Sequence, residues 1–241
     1  MAENFTIPPL KEAVCEFKFK AENWDPSIAG LLYPALKDIF PKKESVQEGY
    51  IEFFLDPKER KPSNITQSEN ELPKFANEIG NLFVIFRKNI VSIHCINPYV
   101  GWQDYLAKIK FVKDKYDEIA IPGILDRLGL RYINRISLPD EAFSFSDYFK
   151  ICPTPLENSI KADDITAMQT GVVSKDHESF VKTQFVWLTS KPEVNKRDFV
   201  LDIDYFSSNP TDINSWLETA HQKIEEIFLN SMEQKAIDTF K

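Results

Sequence analysis

Apolar and polar residues alternate along several short stretches of the chain, and this period of two predicts strands with one buried face. In AVCEFKFK the predicted buried side carries Ala13, Cys15, Phe17 and Phe19. The same pattern predicts strands in VQEGYIEFFL, GLRYINRISL and FVLDIDYF. Two further pairs of strands predict hairpins, one in LFVIFRKNIVSIHCI turning near Lys88-Asn89 and one joining ITAMQTGVVSK to SFVKTQFVWLTS near Asp176-His177.

Apolar residues at helical spacing predict helices between these strands. SIAGLLYPALKDIF predicts a helix that Pro34 kinks or shortens, and FSDYFKI predicts a short helix capped by Ser146. Two long helices are predicted, from about Trp102 to Ile119 and from about Asp212 to Thr239. The segment DPKERKPSNITQSENELPKF is polar and carries prolines, so it predicts a long loop.

The order of elements restarts at Pro122-Gly123. Each half then follows the order β-α-β-β-β-α, and short connections make the consecutive strands antiparallel. We therefore predict an α+β fold with an antiparallel sheet in each half and the long helices covering one face. The predicted halves are residues 1–122 and 123–241, which share one core.

Composition narrows the classes of function. The net charge of −8 argues against general nucleic-acid binding, which needs a clustered basic surface. The four lysines between Lys108 and Lys115 are a local exception, and we interpret them as a solvated helix face. No apolar run approaches the ~20 residues of a membrane span, and the first residues, MAENFTIPPLKE, have no apolar signal core. The expectation is a cytoplasmic protein with no membrane partner.

No cofactor or metal site is predicted. The three cysteines, Cys15, Cys95 and Cys152, form no CxxC pair, and the histidines His94, His177 and His221 show no metal-binding spacing. No nucleophile motif is present either. The sequence therefore favours a protein that is not an enzyme.

The best pair of carboxylates is Asp202 and Asp204, which share a face of one predicted strand. By the same rule Arg131 and Arg135 share a face of another strand, while Asn134 points to the opposite face. If the two strands are neighbours, the arginines pair with the aspartates. Three interpretations remain open: a structural ladder of ion pairs, a binding surface and a catalytic site.

Three further residues are candidates for binding. Trp102 and Trp216 open the two long helices, and each could stack a base or a sugar or anchor its helix start in the core. His221, in the last helix, is interpreted as a polar group where the helix meets the sheet. The candidate binding residues are therefore Arg131, Asn134, Arg135, Asp202, Asp204, Trp102, Trp216 and His221.

Four segments occur in order along nearly the whole chain: PPLKEAVCEFKF, RLGLRYINRISLP, LDIDYF and WLETAHQKIEEIFLNSMEQKAIDTF. Together they resemble a family of bacterial proteins of about this length that is sporadically distributed and has no assigned activity. The resemblance implies a bacterial cytoplasmic protein. Sporadic distribution is associated with accessory functions such as phage defence or toxin control.

Three functional hypotheses follow. The first is a non-catalytic interaction protein that binds a protein partner through a seam or groove between its halves, with a homo-oligomer as a further alternative. The second is a module that senses a nucleotide or another small ligand in a groove lined by Arg, Asn and Asp. The third is an enzyme with its carboxylates at Asp202 and Asp204. Converging Arg and Asp side chains in a cleft favour the second or third hypothesis, whereas a flat charged ladder with an apolar patch elsewhere favours the first.

Overall fold

The structure is a computed structural model. It describes residues 5–20, 25–55, 62–139, 143–151, 167–173, 179–191, 195–208, 210 and 212–241, with side chains described except at 48–55, 62–70 and 188–191. Cys152 and the predicted turn at Asp176-His177 lie outside the described residues.

Strands account for more of the described chain than helices. The strands are β1 (Leu10–Lys20), β2 (Lys42–Leu55), β3 (Pro62–Ala76), β4 (Leu82–Arg87), β5 (Ile90–Ile96), β6 (Ile124–Pro139), β7 (Ala167–Val173), β8 (Ser179–Lys191) and β9 (Lys196–Ser207). The helices are α1 (Ile28–Leu36), α2 (Trp102–Ala120), α3 (Phe145–Tyr148), α4 (Ile213–Ser231) and α5 (Gln234–Asp238).

All nine strands form one antiparallel sheet in the order β2-β3-β4-β5-β1-β6-β9-β8-β7. The predicted fold is therefore wrong: the halves do not carry separate sheets under a layer of long helices. Instead β1 pairs directly with β6 along most of its length, so the sheet continues from one half of the chain into the other. The helices are few, and the two long ones pack mainly near the middle of the sheet, on β5, β6 and β9.

The strand order is mirrored about the β1–β6 pair. Outward from the centre, β1 is followed by β5, β4 and β3, and β6 is followed by β9, β8 and β7. In each half, therefore, the first strand pairs with the last one. β2 is an additional strand at the outer edge of the first half. The division at residue 122 and the superposition of the two halves stay predictions.

The loop predicted over DPKERKPSNITQSENELPKF is wrong, because most of this segment belongs to β3. β3 pairs with β2 over nearly its whole length but with β4 only from Lys74 to Ala76. Most of the β2–β3 hairpin is therefore a two-stranded ribbon that extends beyond the rest of the sheet. The β3 sequence PSNITQSENELPKFA lacks the apolar alternation that marks strands elsewhere, so its pattern did not predict a strand.

The last predicted helix is also divided. α4 ends at Ser231 because Met232 is extended, with φ −108° and ψ 143°, and forms a bridge with Phe149. α5 begins two residues later. The predicted cap of the short helix is wrong by two residues, because Ser144 and not Ser146 precedes α3.

The core lies on one face of the sheet. Alternate residues of β1, including Cys15 and Phe17, are fully buried there in one cluster with residues of α1 and α2. Tyr105 of α2 is fully buried, and its hydroxyl donates to the carbonyl oxygens of Ala13 at 3.1 Å and Ile93 at 2.8 Å. This side chain therefore fixes α2 over the pair β1–β5.

Replacing Tyr105 with Phe tests this anchor. Tyr105→Phe removes a buried donor shared by two carbonyls, so we expect the free energy of unfolding to fall by about 1 kcal/mol. Tyr33→Phe is the matched control, because the Tyr33 hydroxyl donates to Pro41 in a half-buried setting where water can replace it. Urea denaturation of both variants measures the difference. An equal loss in the two variants would show that Tyr105 has no special anchoring role.

Candidate functional site

The face of the sheet opposite the core is covered by charged side chains at alternate positions. The basic residues come from β4 and β6 and the acidic ones from β1 and β9. The members of this charged face are Glu12, Glu16, Arg87, Arg127, Arg131, Arg135, Asp198, Asp202 and Asp204. Most of them form ion pairs across neighbouring strands, so the charges largely compensate one another within the face.

The centre of the charged face is a chain of four residues that crosses the β1–β6 pair. Arg87 Nη2 donates to Glu16 Oε2 at 2.7 Å. Arg127 Nη1 donates to the other oxygen of Glu16 at 2.8 Å, while Arg127 Nη2 contacts both oxygens of Asp204 at 2.8 and 2.7 Å. Arg127 thus joins β1, in the first half, to β9, in the second.

Arg127 reaches both partners because Gly129 leaves space for it. A Cβ atom added to Gly129 would lie 2.4 Å from Nη1 and 2.9 Å from Cζ of Arg127. Glu16 lies directly opposite Gly129 on β1, and Phe206 lies opposite it on β9 with its ring centre 4.6 Å from Cζ of Arg127. The guanidinium therefore lies over the glycine, between an acidic residue and an aromatic ring.

Two further pairs extend the charged face along β6 and β9. Arg131 Nε donates to Asp202 Oδ1 at 2.8 Å and Nη2 donates to Oδ2, so this contact is bidentate. Arg135 pairs with Asp198, which also accepts a hydrogen bond from Ser137. The pairing of Arg131 with an aspartate of β9 agrees with the sequence expectation. Arg135, however, pairs with Asp198 and not with Asp202 or Asp204.

A groove of about 350 Å³ lies on the charged face, over the junction of the two halves. Charged and apolar side chains line it together. Its lining residues are Glu12, Val14, Glu16, Val46, Gln47, Leu72, Ile85, Arg87, Ser92, His94, Arg127, Gly129, Arg131, Ile133 and Asp204. They come from seven strands, β1 to β6 and β9, so both halves of the chain contribute to the groove.

Two ionisable groups in the groove have pKa values shifted from their ordinary values. Burial raises the pKa of Asp204 above its ordinary value, although the nearby charge of Arg127 acts to lower it. The hydrogen bond to Asp202 raises the pKa of Arg131, which therefore remains charged at any ordinary pH. The groove thus combines a permanent cation with a carboxylate whose ionisation costs more than usual.

His94 holds a second polar cluster in the groove wall. Its Nδ1 lies 2.8 Å from Glu12 Oε1, and its Nε2 lies 2.9 Å from Ser92 Oγ. Its ring stacks on Phe83 with ring centres 4.8 Å apart and planes 9° apart. Both ring nitrogens therefore have partners, and the ring orientation is fixed by stacking.

Three of the predicted binding residues lie on the other face of the sheet. Trp102 stacks on His221 with ring centres 4.1 Å apart, and Trp102 Nε1 donates to Glu218 at 2.8 Å. His221 Nδ1 also lies 2.8 Å from the hydroxyl of Tyr132. Trp216 donates to Ser179 at 3.2 Å and contacts Tyr205. These residues join α4 to α2 and to the sheet.

Asn134 also lies on the core face and is fully buried. Its Nδ2 donates to the carbonyl of Leu201 at 3.2 Å, but its Oδ1 has no hydrogen-bond partner among the described residues. The sheet therefore separates the eight predicted residues. Asn134, Trp102, Trp216 and His221 lie on one side, and Arg131, Arg135, Asp202 and Asp204 lie on the other. Of the latter four, only Arg131 and Asp204 line the groove.

Most residues that line the groove are not among the binding residues predicted from the sequence. Arg127 could have been found, because it lies four residues before Arg131 and so shares its face of β6. Glu12, Glu16 and His94 occupy the face of β1 and β5 opposite the buried cysteines, but nothing in the sequence shows that β1 lies between β5 and β6. That information comes from the strand order.

Comparison of the chain with models of protein families and with curated proteins finds no match. The resemblance to a family of bacterial proteins therefore stays a prediction. Among the described residues, no three His, Cys, Asp or Glu side chains are grouped to hold a metal ion. No helix in the described part of the chain is long and apolar enough to cross a bilayer.

Replacing Gly129 with Ala tests the central ion pairs. The new methyl group must displace the Arg127 guanidinium, leaving Glu16 and Asp204 without one partner. We expect the free energy of unfolding to fall by about 1–3 kcal/mol, in the lower part of that range because these groups keep some exposure. Gly171→Ala on β7 is the matched control, because an added Cβ there meets no atom within 4 Å. A loss in Gly129→Ala no larger than in the control would contradict the placement of Arg127.

Proposed function

We propose that this chain is a binding protein whose groove holds a small ligand that carries both a positive and a negative charge. The observation that supports this most is the convergence of Arg and acidic side chains in one groove over the junction of the halves. A volume of about 350 Å³ lies within the range of about 300–1,000 Å³ that is usual for small-molecule sites.

The charges of the groove favour a ligand with two opposite charges. Three arginines and three acidic residues line the groove, so their formal charges cancel and a polyanion gains little. Arg131 and Glu12 are the best placed to bind a ligand. Arg131 gives Nε and Nη2 to Asp202, which, among the described residues, leaves Nη1 for an anionic group of the ligand. Glu12 uses Oε1 for His94, which leaves Oε2 for a cationic group.

These two side chains lie close to each other. Val14 is opposite Arg131 in the β1–β6 ladder, so Glu12 is two residues from that pair and shares its face. The charge of Glu12 also acts on the pKa of Arg131. A free amino acid or a short peptide carries an ammonium and a carboxylate group at a similar short separation. We therefore infer amino acids and short peptides as the ligand class.

Calorimetric titration tests this proposal with dialanine as the probe. N-acetylalanine, which keeps only the carboxylate, and alanine amide, which keeps only the ammonium group, show whether both charges are needed. We expect dialanine to bind at least tenfold more tightly than either, a difference of about 1.4 kcal/mol. The affinity of Arg131→Ala for dialanine should be lower than that of the wild-type protein by at least the same factor.

Arg135→Ala is the matched control for this experiment. Arg135 lies on the same strand and face as Arg131, its side chain is 46% exposed against 47%, and it also pairs with one aspartate. It does not line the groove. Equal binding by Arg131→Ala and Arg135→Ala, or tighter binding of a nucleotide such as ATP than of dialanine, would contradict the proposed ligand class.

A protein partner is the second candidate, favoured by the part of the charged face outside the groove. There Arg135, Asp198 and Ser137 form an exposed polar cluster on β6 and β9. A partner with complementary charges could bind this flat strip, as could a second copy of the chain. Exposed pairs contribute little to stability, about 0–1 kcal/mol, so they can be exchanged for contacts with a partner.

Reversal of one charge tests this second candidate. Arg135→Glu places a second negative charge beside Asp198, so binding to a partner isolated with the wild-type protein should fall at least tenfold. Arg131→Glu in the groove should change that binding less. Sedimentation of the purified protein distinguishes binding to a different partner from self-association of the chain. Unchanged capture by Arg135→Glu would exclude this strip as the interface.

The biological setting of the proposal rests on the resemblance alone. The resemblance implies a bacterial cytoplasmic protein, and the proposed setting is an accessory system such as defence or toxin control. No nucleic-acid or membrane partner is part of the proposal.

A further inference from the structure

We propose that Ser92, His94 and Glu12 form a nucleophilic relay that transfers small acyl groups from esters to water. This goes beyond ligand binding, because it assigns a covalent reaction to the groove. All three side chains line the groove. They follow one another at hydrogen-bonding distance, with Ser92 Oγ 2.9 Å from His94 Nε2 and His94 Nδ1 2.8 Å from Glu12 Oε1. Hydroxyl, imidazole and carboxylate stand in this order in serine hydrolases.

The hydrogen bonds fix where the protons lie. An ionised carboxylate accepts hydrogen bonds and cannot donate them. A neutral His94 must therefore carry its proton on Nδ1, where Glu12 accepts it, and its Nε2 must be unprotonated. Ser92 then donates to Nε2. Among the described residues, the one other acceptor near the Ser92 hydroxyl is the Ile85 carbonyl at 3.5 Å, a much weaker contact. His94 is therefore placed as a general base toward Ser92.

The strands hold this geometry in place. Ser92 and His94 lie two residues apart on β5 and so share a face, while Glu12 reaches them from the adjacent β1. The ring of His94 cannot turn freely, because Phe83 stacks against it and Lys74 lies over Phe83. Serine hydrolases need this kind of fixed imidazole, and here both its nitrogens and its face are held.

The reaction proceeds in two steps that balance. In the first, Ser92 Oγ bonds to the carbonyl carbon of an ester, and its proton passes to His94 Nε2. The alcohol leaves with that proton, and an acyl-serine remains. In the second, water attacks the acyl group and gives a proton to His94, which returns it to Ser92 as the carboxylic acid leaves. Glu12 remains ionised and stabilises the positive charge on His94 in both steps.

Arg87 is the cation placed to stabilise the negative oxygen that forms in each step. Its guanidinium is held by Glu16, and Glu16 lies directly opposite Ser92 in the β1–β5 ladder. Its Nε has no hydrogen-bond partner among the described residues. Only 1% of Ser92 is exposed, so the relay suits small acyl groups and not long polymers.

A small ethoxy fluorophosphonate probe tests the proposal on the full-length protein. Ser92 Oγ would bond to phosphorus, fluoride would leave, and His94 would take the serine proton. We expect one adduct per chain by intact mass, and peptide mapping should place it on Ser92. Heating the protein past its melting temperature before labelling should abolish the adduct, since the relay requires the fold.

Variants distinguish labelling that depends on the relay from labelling of a reactive residue on the surface. Ser92→Ala should lose the adduct, and His94→Gln should slow labelling and hydrolysis of p-nitrophenyl acetate at least 100-fold. Ser137→Ala is the control, because Ser137 bonds to Asp198 outside the groove and should label as wild type. Circular dichroism confirms that each variant is folded. If Ser92→Ala fails to fold, mapping of the wild-type adduct still decides the question.

Absence of an adduct on Ser92 in the folded wild-type protein would overturn the proposal, as would an adduct on another residue that persists in Ser92→Ala. The outcome is independent of the ligand titration. Dialanine can bind beside Arg131 without any reaction at Ser92, and Ser92 can react with the probe when dialanine does not bind.

Discussion

The pairing of β1 with β6 is the interaction on which the rest of this structure depends. Both strands are central to the sheet, and each is the first strand of its half. Their ladder makes a single sheet of nine strands and places Glu16 opposite Gly129. The ion pairs that link Glu16, Arg127 and Asp204 follow from this register. A shift by one residue would turn the arginines of β6 into the core.

The two faces of the β1–β6 pair differ in polarity. On the core side, Leu130 and Cys15 are neighbours in the ladder and are fully buried. On the other side, charged groups are half-buried around a groove. Taking such groups from water is costly, and the cost is recovered only where each has a partner. This explains why the acids and bases of the charged face occur as bridged pairs.

The sequence predicted local structure better than topology. The hairpin at Lys88-Asn89 is confirmed, with Asn89 at a positive φ of 60°, and α2 begins at Trp102 as expected. The period of two also identified the charged and buried faces of β6. The continuous sheet was missed, because β-strand periodicity shows which side of a strand is buried but does not show which strand lies beside it. β3 was missed because its sequence lacks a period of two in its apolar residues.

The candidate site was predicted only in part for the same reason. The contact between Arg131 and Asp202 follows from the strand faces once β6 and β9 are neighbours, which the structure shows. The relay of Ser92, His94 and Glu12 combines residues about 80 apart in the chain, as the separation of 82 between Glu12 and His94 shows. Each of these residues is ordinary in its own segment. They form a site only after β5 has paired with β1.

The central place of β1 has a consequence for how the chain folds during synthesis. Arg127 and Glu16, which meet across the β1–β6 pair, are 111 residues apart in sequence. Contacts this distant slow folding, because a long loop must close before they form. Until β6 leaves the ribosome, β1 is an edge strand with unpaired backbone groups beside a strongly apolar face. Such an edge is open to pairing with other chains. The protein is therefore most exposed to aggregation and to capture by chaperones while only its first half has been synthesised.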